Sequence, residues 1–79
     1  MKDLYTGFKY YSRSLDDIHH LYKYNDTENE FYIMDHCWTG EGEWVLRKEF
    51  PSFHIVEISE ERAQEISKGT IYTAPHVNE

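Results

Sequence analysis

Phe53-His54-Ile55-Val56-Glu57-Ile58-Ser59-Glu60-Glu61-Arg62-Ala63-Gln64-Glu65-Ile66-Ser67-Lys68-Gly69 is the stretch that decides the fold class. Its first six residues are rich in β-branched and aromatic side chains, which suit a pleated strand. The pattern changes at Ser59. A serine there is a natural helix N-cap, its oxygen accepting from an otherwise unpaired backbone N–H. Glu60 and Glu61 follow in the first turn, where the helix dipole favours carboxylates. Ile58 and Ala63 occupy the two positions of a hydrophobic staple. Lys68 falls in the last turn, and Gly69 can close the helix in the left-handed conformation. Ala63 and Ile66 mark its narrow buried face. A strand running directly into a helix near 59–68 is the expected core of the fold.

Upstream the apolar period is nearer two. Phe31, Ile33 and Cys37 alternate with Tyr32, Met34 and His36, and Trp44, Leu46 and Phe50 share one face of a second run. Thr39-Gly40-Glu41-Gly42 between them reads as a hairpin loop, because glycine reaches positive φ at no steric cost. Pro51-Ser52 separates the second run from the third. The three runs predict an antiparallel meander leading into the helix.

In the N-terminal third, Leu4, Thr6, Phe8 and Tyr10 alternate as in a strand. Ser14 can cap a turn, and Leu15, Ile18, Leu21 and Tyr22 recur at helical spacing, which predicts a short helix near 14–20. Leu21 to Tyr24, the polar Asn25 to Asn29, and Phe31 to Ile33 then read as a hairpin. Ile71-Tyr72-Thr73 is a candidate edge strand before Pro75. Together these readings give an α+β fold in one domain, residues 1–79. An antiparallel sheet of four to five strands, a meander, carries a C-terminal helix and a short helix near 14–20. The strand-then-helix order of Ile55 to Ile66 is similar to that of many small bacterial or phage proteins, a likeness that carries no function.

The chain has 79 residues and thirteen aromatics, seven of them tyrosine. A domain this small buries only about 60–65% of the surface of its unfolded chain, so each core aromatic counts. With one cysteine, Cys37, no intrachain disulfide can form, which fits a reducing compartment. Met1-Lys2-Asp3 leads into a polar, aromatic stretch and no apolar run is long enough to span a bilayer, so the expected location is cytoplasmic.

Net charge is −7, and it is unevenly placed. Residues 1–24 carry four bases and three acids, whereas residues 25–79 carry four bases and twelve acids. Asp26 to Glu43 holds six acids and neither Lys nor Arg. Asp26, Glu28 and Glu30 share parity, as do Glu41 and Glu43, with Asp35 between the two groups. In an extended chain such residues project on one side about 6.6–6.8 Å apart.

No motif assigns chemistry. A zinc site needs three or four converging ligands, and adjacent residues diverge, so each of the pairs His19-His20 and His36-Cys37 supplies one ligand at most. Neither C-x-x-C nor H-x-x-x-H spacing is present. Cys37 lies at core-like parity, where a thiol is inert. Glu61 and Glu65 sit in polar surroundings, unlike a general acid with a raised pKa. Gly40-Glu41-Gly42-Glu43 lacks the lysine of a phosphate loop, and its glutamates would repel phosphate. No cofactor is expected.

The sequence therefore favours a non-enzymatic interaction protein, an inhibitor or adaptor presenting an acidic surface to a basic partner protein, such as one that binds nucleic acid. Its contact residues would be Asp26, Glu28, Glu30, Asp35, Glu41 and Glu43, with Trp38 and Trp44 as anchors. An alternative is a metal-binding or enzymatic accessory domain around His36, Cys37 and His54. A third reading is a weak single-strand nucleic-acid binder, since Tyr5, Lys9, Tyr10, Tyr11, Arg13, Tyr22, Lys23 and Tyr24 interleave bases with rings. That segment sums to only +1, little for a phosphate ligand.

Overall fold

Among the described residues six short strands and one α-helix form, in chain order β1 (Lys9–Ser12), β2 (Tyr22–Asn25), β3 (Glu30–Asp35), β4 (Glu43–Arg47), β5 (Val56–Ile58), α1 (Glu60–Ile66) and β6 (His76–Asn78). They belong to a computed structural model that describes residues 8–35, 37–72 and 76–78, with backbone alone for Trp38 and residues 76–78. The strand order is β5-β1-β2-β3-β4-β6. The first five strands are antiparallel neighbours, and β6 joins β4 in parallel. This is the α+β arrangement, with an antiparallel sheet and a C-terminal helix.

The helix forms as its local chemistry dictates. The Ser59 hydroxyl oxygen accepts from the Arg62 N–H at 3.0 Å, and Ala63 and Ile66 are buried. Its far end departs from the expectation by one residue. Lys68 itself takes the left-handed conformation at φ 58°, followed by Gly69 at φ 82°. The Lys68 N–H donates to the Glu65 carbonyl at 3.3 Å and the Gly69 N–H to the Gln64 carbonyl at 2.9 Å, the paired bonds of a Schellman closure.

Alternation along the strands sorts the sheet into two faces. Ile58, Tyr10, Lys23, Tyr32 and Leu46 lie side by side across β5, β1, β2, β3 and β4. Over this row α1 sets Ala63 and Ile66, and the core also takes in Leu21, Met34, Cys37, Trp44 and Ile71. The Trp44 indole N–H donates to the Ile71 carbonyl at 3.1 Å, satisfying the polar end of a wholly buried ring. On the opposite face Lys9, Tyr24, Phe31 and Arg47 form a row across β1 to β4. There the connector at 48–55 lies over the sheet as a strap. Phe50 meets Tyr24 at 4.7 Å and Phe31 at 5.1 Å between ring centroids, and Phe53 meets Tyr22 at 5.7 Å.

The strap explains why the simple meander gives way. The third run does not pair with β4; it crosses the sheet and adds to β1 as β5. β4 already has β6 on its free side. The diagonal path also lets Phe50 and Phe53 cover Tyr22, Tyr24 and Phe31, apolar area that a tight turn at Pro51-Ser52 would leave in water. For the same reason Phe50 does not share a face with Trp44 and Leu46: β4 ends at Arg47, and the chain turns over to the other side. Phe31 and Ile33 likewise face the strap, while Tyr32 and Met34 enter the main core.

The predicted helix near 14–20 is absent; the segment is a series of turns and bends. Its short polar side chains compete for the backbone. The His19 N–H donates to the Asp17 carboxylate at 2.7 Å in place of a helical carbonyl, and the Ser14 hydroxyl bonds Asp16 at 3.0 Å. Seven residues also lie below the length at which an isolated helix offsets its nucleation cost. Ile71 and Tyr72 fall in a turn, with Ile71 buried, so the last edge strand is His76–Asn78. Leu4, Tyr5, Thr6, Thr73 and Pro75 lie outside the described residues.

Candidate functional site

The acidic residues do not form one tract. The β2–β3 turn carries Asp26 and Glu28 at one end of the sheet, with Glu30 starting β3. Asp35, Glu41 and Glu43 sit at the other end, around the β3–β4 connection. The six residues of β3 separate the two groups by about 17 Å, roughly twice the screening length at physiological salt. The groups are therefore electrostatically independent.

The two ends are built differently. At the first, the Asn25 side-chain oxygen accepts from the Thr27 N–H at 3.0 Å and the Glu28 N–H at 3.2 Å. Asn29 takes the left-handed conformation at φ 54° and accepts from the Tyr24 hydroxyl at 3.0 Å. The turn is thus specified by asparagines, and Lys9 and Arg47 flank it on the neighbouring strands.

At the second end two loops meet. The Cys37 thiol donates to the His19 carbonyl at 3.3 Å, and His19, His20 and Asp35 line one shallow depression of about 260 Å³. Asp35 and Glu43 face each other directly across β3 and β4, a like-charge pair that costs folding energy. The loop turns back tightly, with Gly40 at φ 78°, and a Cβ on Gly42 would collide with the Met34 thioether. On the β1–β2 loop, burial alone would raise the Asp17 carboxyl; the His19 N–H and the His20 ring outweigh it and hold the group below its ordinary value. The His20 ring nitrogen lies 2.7 Å from Asp17. Between these anchors Leu15 is 73% exposed and Ile18 53%. Their spacing predicted a helix; without it both side chains are exposed to water, at the same end of the sheet as Asp35, Glu41 and Glu43.

Trp44 leaves the candidate surface. It is wholly buried under α1 and cannot anchor a partner. The side chain of Trp38 and all of His36 lie outside the described residues. Of the alternative set, Cys37 is buried in a 3-10 turn and not in the strand run assigned to it, while His54 is exposed on the strap. Among the described residues no three His, Cys, Asp or Glu side chains gather as a metal would require. No described helix is long and apolar enough to cross a membrane.

The residues read as a nucleic-acid surface are divided between the faces. Lys9, Tyr11, Arg13 and Tyr24 lie on the strap side, Arg13 stacking on Phe53 at 4.4 Å, and Tyr22 is buried beneath Phe53. Tyr10 and Lys23 are in the main core. Burial, then Glu60 and Tyr72, push the Tyr10 hydroxyl up to about 12.

Lys23 is the residue sequence reasoning placed least well. It is 1% exposed, at the centre of the helix-side row. Its Nζ sits 4.3 Å from the ring centroids of Phe8 and Trp44 and 4.9 Å from that of Tyr32. Burial pulls its pKa down to about 8, and the Glu30 carboxylate partly opposes this. Its parity with Tyr10 and Tyr32 was the one available signal, and its charge masked it.

The strap leaves a groove of about 440 Å³, open to solvent. Phe31 and Ile33 line its sheet side, Phe50, Pro51 and Phe53 the strap side, and Arg47, Lys48 and Glu49 its polar margin. Phe50 is 52% exposed and Phe53 39%.

Comparison with known protein families, curated proteins and solved structures finds no match to this chain.

Proposed function

We propose that the chain is a non-enzymatic interaction protein, an inhibitor or adaptor acting in the cytoplasm, whose acidic loop end receives a basic surface of a partner protein. The observation that carries this reading is the exposure of Leu15 and Ile18 on the same end of the sheet as Asp35, Glu41 and Glu43. Carboxylates alone serve solubility. Carboxylates at the same end of a sheet as two projecting aliphatic side chains combine long-range steering with short-range apolar burial, the division of labour of a protein interface. A nucleic-acid-binding groove is one basic surface of this kind. The Asp35–Glu43 pair supports the reading further, since a partner's lysine or arginine placed between them would relieve their repulsion. A single buried cysteine, which can form no disulfide within the chain, is consistent with a reducing compartment.

The opposite acidic turn is the internal control. Affinity capture from lysate of the native host, with nuclease and at two salt concentrations, should retain a basic protein on the unmodified chain. Asp35→Asn, Glu41→Gln and Glu43→Gln together should abolish that capture, as should high salt. Asp26→Asn, Glu28→Gln and Glu30→Gln together should leave it intact. Equal retention by both triple variants removes the reading.

A further inference from the structure

The strap groove is a second surface that adjoins the acidic loop end, since Ile33 lines both it and the depression beside Asp35. We propose that it holds a short acidic–apolar segment of another protein: an apolar side chain between Phe50 and Phe53, and a carboxylate at Lys48 and Arg47.

Three features point to this occupant. The first is exposure. Phe50 packs on the sheet aromatics and keeps half its surface in water; Phe53, between Tyr22 and the Arg13 guanidinium, keeps 39%. A partly buried ring on a strap already immobilised by stacking can be covered without a large entropic cost. The second is charge. The groove margin carries Arg47 and Lys48 against Glu49, a net of +1 in a chain whose total is −7. A carboxylate is attracted here and repelled at the loop end, where Asp35 and Glu43 stand. The third is shape. The groove is open and lies against the exposed strap, which suits an extended segment laid along it more than an enclosed small molecule.

The same electrostatics decide against a single-stranded nucleic acid. Aromatic rings beside bases would stack nucleotides, but a phosphate chain continuing past Phe31 meets the turn that bears Asp26 and Glu28. A peptide carrying one or two carboxylates ends before that turn.

The test is fluorescence anisotropy with a labelled short peptide alternating aspartate with phenylalanine or leucine. It should bind the unmodified chain saturably. Lys48→Glu should weaken it by about tenfold or more, the size expected of one reversed charge contact. Phe50→Ser should weaken it as well; if that variant loses its fold, the exposed Lys48 carries the test alone. Asparagine in place of aspartate in the peptide should also lose affinity. The triple variant Asp35→Asn, Glu41→Gln, Glu43→Gln should bind the peptide undiminished, which separates this proposal from the acidic-end reading. Absence of saturable binding, binding indifferent to Lys48→Glu, or tighter binding of an oligothymidylate probe would overturn it.

Discussion

The two faces of the sheet use the same materials to opposite ends. On the helix side a base, Lys23, is enclosed by Phe8, Tyr32 and Trp44 and sealed by α1. On the strap side, bases again meet rings: Arg13 on Phe53, and Arg47 with Lys48 beside Phe50. There the cover is eight residues of irregular chain rather than a helix, and the rings stay half in water. Aromatic and basic composition alone therefore says little about role. What differs is the covering element: the helix side encloses its base within the core, whereas the strap leaves an apolar margin open to solvent.

That difference should be measurable as stability. Trp44→Ala, on the closed face, should cost about 3–5 kcal/mol, enough to unfold much of so small a domain. Loss of the chemical-denaturation transition checks it, and a loss near 1 kcal/mol would mean that the closed face is not the main core.

Lys23 gives a finer probe of the same face. Its pKa falls from 10.5 to about 8 on folding. Below pH 8 both folded and unfolded chains hold the proton, and the folded state bears the whole cost of the buried charge. Between about 8 and 10.5 the folded chain releases its proton first, so stability should rise with pH across that window. The rise amounts to a few kcal/mol at most, because the ring faces favour the ammonium. Lys23→Met should abolish the slope. The comparison belongs between pH 7.5 and 9.5, below the range in which Tyr10, raised to about 12, begins to act with the opposite sign. Parallel stability-against-pH curves for the two proteins would show that Lys23 does not titrate there.

On the strap side the effects should be small. Phe50→Ala should cost about 1 kcal/mol, since half the ring is already in water. Smallest of all, Glu43→Gln should stabilise by about 0.2–0.5 kcal/mol by relieving the repulsion with Asp35, while weakening partner capture. A variant that is slightly more stable and less able to bind would mark that pair as kept for contact and not for folding.

Much of the candidate surface was legible only as charge. The excess of acids in the chain after Asn25 is a fact of sequence; the division of the densest acids into two independent ends is a fact of topology, because β3 carries one group away from the other. Leu15 and Ile18 show the same limit from the apolar side. Their spacing suits a helix, but Asp17 takes the backbone N–H that the helix requires, and both side chains turn outward. Phe50 reads as a continuation of the Trp44 face until β4 ends and the chain crosses over.

The sequence by itself determined the elements whose bonds are local. The capped helix after Ser59 depends on contacts within four residues, and the β2–β3 hairpin on a turn specified by Asn25 and Asn29. Tertiary structure alone decided which strand β5 would join, which face Phe50 would cover, and that a lysine would sit at the centre of the core. Those outcomes depend on area buried between segments far apart in the chain, and such area is settled only when the whole sheet has closed.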